Sequence, residues 1–161
     1  MDQRPLALLE TTVQPGWIDY NGHMNVAYYL LAFDQAFDRF MDHIAIDSVH
    51  RDQDGGSIFA AESHIGYHRE LLLGEAIAIS MQLLEHDDKR LRTFFFMHRS
   101  QDGALAATYE GLHLYVNLGT RRVVSMPPPV LTRVAALAQD HARLPTPPVA
   151  GRGIALSRRA G

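Results

Sequence analysis

The segment from Asn25 to Asp42 constrains the fold more than any other. Tyr29, Phe33, Phe37 and Phe40 recur there at helical spacing, while Asp34, Gln35, Asp38, Arg39 and Asp42 fall on the opposite side. This predicts an amphipathic helix with Asn25 as its N-cap. The first half, VAYYLLAF, is apolar all round, so the helix should enter a nearly closed environment and meet water only in its later turns.

The flanking segments show what could close around it. Residues 6–14, LALLETTVQ, read as a strand broken by Pro15-Gly16. After Asp54-Gly55-Gly56, the stretch Ser57 to Glu70 alternates, with Phe59, Ala61, Ile65 and Tyr67 on one face and Glu62, His64, His68 and Glu70 on the other. Beyond Gly74, Ile77, Ile79, Met81 and Leu83 point one way, and His86-Asp87-Asp88-Lys89 turns this strand into RLRTFFFMHR. Ser100-Gln101-Asp102-Gly103 leads into ALAATYEGLHLYV. The expected fold is therefore α+β, an antiparallel meander curled around one long central helix. Residues 1–126 should form this domain. In 127–161, Pro127-Pro128-Pro129 opens a weaker helix, and from Pro145 a Pro-, Gly- and Arg-rich tail with little to bury is expected to be mobile.

Composition then removes whole classes of function. The 161 residues, 47% of them hydrophobic, suffice for one core, and the chain has no cysteine, so disulfide, zinc-thiolate and thiol-nucleophile chemistry are excluded. No window approaches the ~18 uncharged apolar residues of a membrane span, and no leader pattern opens the sequence, which makes a cytoplasmic protein the expectation. A net charge of -3, with basic residues scattered rather than striped, argues against a nucleic-acid partner. His64 and His68 share a strand face with Glu62 and Glu70, but strand residues four apart lie ~13 Å distant, so no metal site is expected. A polar face at a subunit contact is the better reading.

Just before the helix stands WIDYNGHMN, with Asp19, Asn21 and His23 at alternate positions. From the residue types alone, Asp19-Tyr20-Asn21-Gly22 is equally well a simple turn. The motif D-x-x-G-H-x-N at the mouth of a long apolar helix, together with the order of elements, resembles the hotdog-fold acyl-CoA thioesterases of the 4-hydroxybenzoyl-CoA thioesterase type over roughly residues 6–120. The resemblance implies that Asp19 is nucleophile or general base. It departs from the family at Asn25-Val26, where a second amide is frequent. The Asp-x-Asn-x-His run is also similar to that of plant acyl-carrier-protein thioesterases, and WIDYNGHMN with ESHIGYHREL is similar to the thioesterases of carnitine breakdown, which implies betainyl-CoA as substrate.

Thioester hydrolysis needs a carboxylate to attack or to place water, and donors for the oxyanion. Backbone N–H groups from Gly22 through Met24 to Asn25 lie where a helix start leaves donors unpaired. Gly22 also lets a substrate come close to the backbone. His23 could orient Asp19, donate to the thioester, or simply pack under the loop. Trp17, Tyr20 and Tyr67 suit either a cage for a quaternary ammonium group or the core. Lys89, Arg90, Arg121 and Arg122 are candidates for the CoA phosphates, although a solvated hairpin tip is the better explanation for the first pair. No cofactor beyond the acyl-CoA substrate is implied. An unprotected edge strand predicts a homodimer or a dimer of dimers. Two other readings are a hotdog enoyl-CoA hydratase, whose histidine follows its aspartate by five rather than the four seen here, and a non-catalytic acyl-CoA-binding module, for which an appended domain would be expected.

Overall fold

The structure is a computed structural model and describes residues 4–156. Its elements are β1 (Leu6–Thr12), a 3-10 turn (Pro15–Trp17), α1 (Val26–His43), α2 (Ser48–Gln53), β2 (Gly56–Tyr67), β3 (Ala76–His86), β4 (Arg90–Arg99), β5 (Leu105–Asn117), β6 (Arg122–Val123) and α3 (Pro128–His141). All pairings are antiparallel, in the order β1-β3-β4-β5-β2, with β6 beside the end of β5. This is the hotdog arrangement that the resemblance implied. It is a meander only through β3, β4 and β5, because β2 crosses the sheet to pair with β5 and becomes its edge.

α1 lies against the concave face. Asn25 caps it as expected, its side chain accepting from the N–H of Ala27, and Tyr29, Ala32, Phe33, Ala36, Phe37, Phe40 and Met41 form its buried stripe. Phe33 meets Phe95 edge-on at 6.2 Å, and Phe37 stacks on His113 at 4.2 Å. Ile77, Ile79, Met81 and Leu83 of β3 all enter the core. The first turns of α1 are not enclosed as expected. Val26, Leu30 and Leu31 remain 56%, 45% and 39% exposed, because these turns run past the open β2 edge.

A bulge corrects the reading of β2. Ala60 pairs with His113 and Glu62 with Leu112, which leaves Ala61 without an opposite residue. The alternation therefore changes phase: Ile58 and Ala60 share the helix-facing side with Ile65 and Tyr67, while Phe59 falls on the other face, 40% exposed. The strand also stops at Tyr67 rather than Glu70.

At the C-terminal side, α3 buries Val130, Val134 and Leu137 in the same core as α1, and the main-chain N–H of Leu83 donates to Nδ1 of His141 at 2.9 Å. The stretch expected to be mobile makes specific contacts in its described part. Pro147 is buried, Gln82 donates to Pro145 O, and the N–H of Gly151 donates to Glu110 at 2.7 Å. Residues 157–161 of that stretch lie outside the described residues. No helix among the described residues is long and apolar enough to cross a membrane.

Candidate active site

The loop before α1 is pinned at both ends. Ile18 and Met24 form an antiparallel bridge, the N–H of Asp19 donates to His23 O, and the N–H of Asn25 donates to Trp17 O. Gly22 sits at φ 80° inside this tight reversal, a conformation that costs glycine little and other residues more. Met24 is fully buried and its N–H donates to Leu71 O, fastening the loop to the approach of β3.

Both oxygens of Asp19 are held. Oδ1 accepts from the N–H of Asn21 at 2.7 Å, and Oδ2 accepts from Nδ2 of Asn25 at 2.9 Å. First the Asn21 N–H and then the Asn25 amide keep its carboxyl below the usual carboxylate range. Asn25 thus uses its two polar ends on two tasks: one orients the carboxylate, the other caps α1. Asn21 serves Asp19 through its backbone.

The His23 side chain makes no hydrogen bond to the Asp19 carboxylate. Its Nδ1 lies 3.1 Å from Met24 O, so Nδ1–H donates to that carbonyl and Nε2 is left for other partners. Three of the expected oxyanion donors are engaged: the N–H groups of Gly22, Met24 and Asn25 go to Asp19 O, Leu71 O and Trp17 O. The N–H of Val26, first residue of α1, has no acceptor among the described residues, and Ala27 and Tyr28 behind it donate to Asn25. Motif reading missed Val26. Its signal was its place immediately after the cap, where the first N–H of a helix has no partner within the helix.

The three candidate aromatic residues do not form a cage within one chain. Trp17 stacks on Tyr28 at 5.9 Å, Tyr67 meets Tyr29 edge-on at 5.2 Å, and Tyr20 is 97% exposed. The Tyr67 hydroxyl approaches Val26 O at 3.4 Å, which places that end of β2 beside the helix start.

The basic quartet lies elsewhere. Arg90 pairs with Asp87 at 2.6 Å in the β3–β4 turn, Lys89 O accepts from Tyr115 N, Arg122 belongs to β6, and the Arg121 guanidinium stands 6.0 Å over the Phe59 ring. All four therefore sit at the Gly56 end of β2, whereas Asp19 is near its Tyr67 end. A strand of this length spans roughly 35–40 Å, which separates them within a single chain. Among the described residues no group of three or more acidic or histidine side chains could hold a metal ion.

A second feature lies between these ends. A cavity of about 240 Å³ opens between α1 and the β2–β5 edge, with Phe33, Phe37, Tyr109 and His113 in its walls and Asp34 and Asp38 among the residues around it.

Comparison with known proteins gives a consistent picture. A family model for the thioesterase-like superfamily matches residues 13–134. The betainyl-CoA thioesterase of Pseudomonas aeruginosa is 41% identical over 151 residues, 94% of this chain and 95% of that protein. The L-carnitine dehydrogenase/betainyl-CoA thioesterase of Rhizobium meliloti is 34% identical over 154 residues, which cover 96% of this chain but 31% of that longer protein. Among solved structures, a hypothetical protein of Staphylococcus aureus in complex with CoA has a TM-score of 0.88 at 28% identity, covering 95% of this chain and 97% of that one. The 1,4-dihydroxy-2-naphthoyl-CoA thioesterase of Synechocystis has a TM-score of 0.71 at 15% identity, over 80% of this chain and 95% of that one, a likeness of fold.

Proposed function

This chain belongs to the thioesterase-like superfamily, and on that premise we propose that it hydrolyses betainyl-CoA, a thioester whose acyl group ends in a trimethylammonium cation, to the free acid and CoA. The observation that carries the reaction is the Asp19 carboxylate, fixed by Asn21 and Asn25 beside an unpaired N–H at the start of α1. The two relatives described as betainyl-CoA thioesterases support the substrate.

In this reading the thioester carbonyl oxygen accepts from the Val26 N–H, where the positive end of the helix dipole favours the negative charge that develops on it. The Asp19 carboxylate either attacks the carbonyl carbon or takes a proton from the water that does. The tetrahedral adduct collapses by breaking the C–S bond, and CoA leaves as the thiolate. Attack by the carboxylate gives a mixed anhydride that water then opens, restoring Asp19.

The active unit in this reading is a pair of chains joined along β2. That strand is a sheet edge with Phe59 to Ser63 exposed, and Val26, Leu30 and Tyr67 add uncovered apolar surface on the same side. Antiparallel pairing across a twofold axis brings the Gly56 end of one copy, with Lys89, Arg121 and Arg122, toward the Tyr67 end of the other. The basic residues then approach the other copy's Asp19 loop and can meet CoA phosphates there.

The test is thiol release from a panel of CoA thioesters by wild type and by Asp19→Asn. Betainyl-CoA should be the preferred member and the variant should lose its hydrolysis. Unchanged hydrolysis by a folded Asp19→Asn protein refutes the role of Asp19, and a preference for a neutral acyl group refutes the substrate. A single turnover in ¹⁸O-water that leaves label in the Asp19 carboxylate identifies it as the nucleophile, with water opening the anhydride at the Asp19 carbonyl.

A further inference from the structure

The cavity beside α1 has a chemistry that the Asp19 loop does not use. Val26, Leu30, Asp34 and Asp38 follow one another at four-residue steps, so a single row along the helix begins apolar at the catalytic loop and turns acidic at the cavity. Asp34 and Asp38 are one turn apart, and neither has a basic partner within 4.0 Å among the described residues. Burial, and then the charge of Asp34, raise the Asp38 carboxyl above its ordinary range. Behind the carboxylates stand the rings of Phe33, Phe37 and Tyr109, and no lysine or arginine lines the space.

His113 gives an independent sign of an occupant. It is 2% exposed and lines the cavity; its Nε2 lies 3.1 Å from Thr93 Oγ1, while its Nδ1 is buried with no hydrogen-bond partner among the described residues. Buried polar atoms are seldom left so. In the tautomer whose Nε2–H donates to Thr93, Nδ1 carries a lone pair and adds negative partial charge to a site that already has two carboxylates and aromatic faces.

We propose that this cavity is a subsite for a small organic cation, the trimethylammonium end of the betainyl group, and that it serves the thioester held at the other copy's Asp19. The proposal rests on the substrate reading above. Reach decides between same-chain and cross-chain use. Asp34 and Asp38 lie 8 and 12 residues beyond Val26, roughly 12–18 Å along α1, whereas one methylene separates the betainyl carbonyl from its nitrogen, at most ~3 Å. A thioester at Asp19 cannot place its cation in the cavity of its own chain. When β2 pairs antiparallel with its copy over its full length, Ile58 and Ala60, which line the cavity, lie opposite residues 65 and 63 of the other copy, close to that copy's helix start. At about 240 Å³ the cavity is smaller than the ~300 Å³ that begins the range for drug-sized ligands, which suits a compact head group rather than the pantetheine arm.

The experiment compares betainyl-CoA with 3,3-dimethylbutyryl-CoA, its neutral isostere with carbon in place of nitrogen. Wild type should favour the cation at least tenfold in kcat/KM, and Asp34→Asn/Asp38→Asn should bring that ratio close to one. A wild type with no preference refutes the substrate reading. A wild-type preference that the double variant retains refutes the cavity alone, and an equal decline for both thioesters marks the carboxylates as merely structural. Mixed dimers then test the sharing. A chain carrying Asp19→Asn paired with a chain carrying Asp34→Asn/Asp38→Asn keeps one complete shared site, so it should retain the cation preference. Loss of that preference in the mixed dimer overturns the cross-chain arrangement. The single variants Asp34→Asn and Asp38→Asn, each checked by thermal melting, keep the ratio readable if the double variant fails to fold.

Discussion

Asn25 is the residue on which two functions meet, and two substitutions can separate them. Asn25→Ala removes the acceptor for Ala27 N–H, which costs about 1 kcal/mol for a lost N-cap, or roughly 2–4 °C in melting temperature for a chain of this size. It also removes the Nδ2 donor from Asp19 Oδ2. With that donor gone, the Asp19 carboxyl should rise toward its ordinary pKa and its orientation should loosen, so kcat falls and the acidic limb of the kcat/KM profile moves up in pH. Asn25→Asp keeps a capping oxygen, and a negative charge there suits the helix start, so stability should stay within about 0.5 kcal/mol of wild type. It nevertheless sets a second carboxylate where Nδ2 stood, 2.9 Å from Oδ2, and two carboxylates so close cannot both ionise easily. The acidic limb should then move to higher pH than that of wild type. Melting curves by circular dichroism and thiol release from pH 4 to 8 read both effects. The reasoning is refuted if Asn25→Asp keeps the wild-type pH profile and kcat, because the amide would then not be orienting Asp19.

Two further outcomes are expected. Burial pushes the His113 imidazole down to about 4 from an ordinary 6.5, so the unfolded chain takes up its proton first as pH falls. Its stability contribution is complete above pH 6.5 and is lost between there and about 4, on the order of 3 kcal/mol, and His113→Phe should flatten that slope in urea titrations; an unaltered slope would mean that His98 and His141, also lowered by burial, carry it instead. Ala61→Glu places a new carboxylate next to Glu62 on the exposed β2 edge, so two copies would face like charges across their axis. Sedimentation should show a monomer with little activity, and an intact dimer would move the interface away from β2.

The elements governed by local rules could be read from the chain. Aromatic spacing gave α1 to within a residue at either end and Asn25 as its cap, and the alternation of Ile77 to Leu83 gave the core face of β3. The turn at Asp87 was equally plain, since Asp87 Oδ1 accepts from the N–H groups of both Lys89 and Arg90. What escaped depends on partners distant in sequence. The crossing of β2 to β5 and the bulge at Ala61 are set by register against β5, and nothing in GSIFAAESHIGY marks which residue goes unpaired. At the candidate site, the motif pointed to Asp19 and Asn25, which the fold brings into hydrogen-bond contact, but which N–H stays unpaired is decided by Leu71 and Trp17 carbonyls that no local pattern reveals. Lys89, Arg90, Arg121 and Arg122 were grouped by charge, and charge carries no information about which end of a sheet a residue occupies.

The bulge at Ala61 makes β2 behave as a parity-coded element. Upstream of it, even-numbered residues face the helix; downstream, odd-numbered ones do. Deleting Ala61 would take out the extra residue alone, so that Ala60 still meets His113, Glu62 still meets Leu112, and Ile58, Ile65 and Tyr67 keep the same side in a regular strand. Removing Ala61 and Glu62 together would instead set Ser63 directly after Ala60 and, in a regular strand, turn Ile65 and Tyr67 to the face opposite Ile58. A single-residue deletion in this stretch should accordingly be better tolerated than a double one, because the bulge holds one residue more than the register against β5 uses.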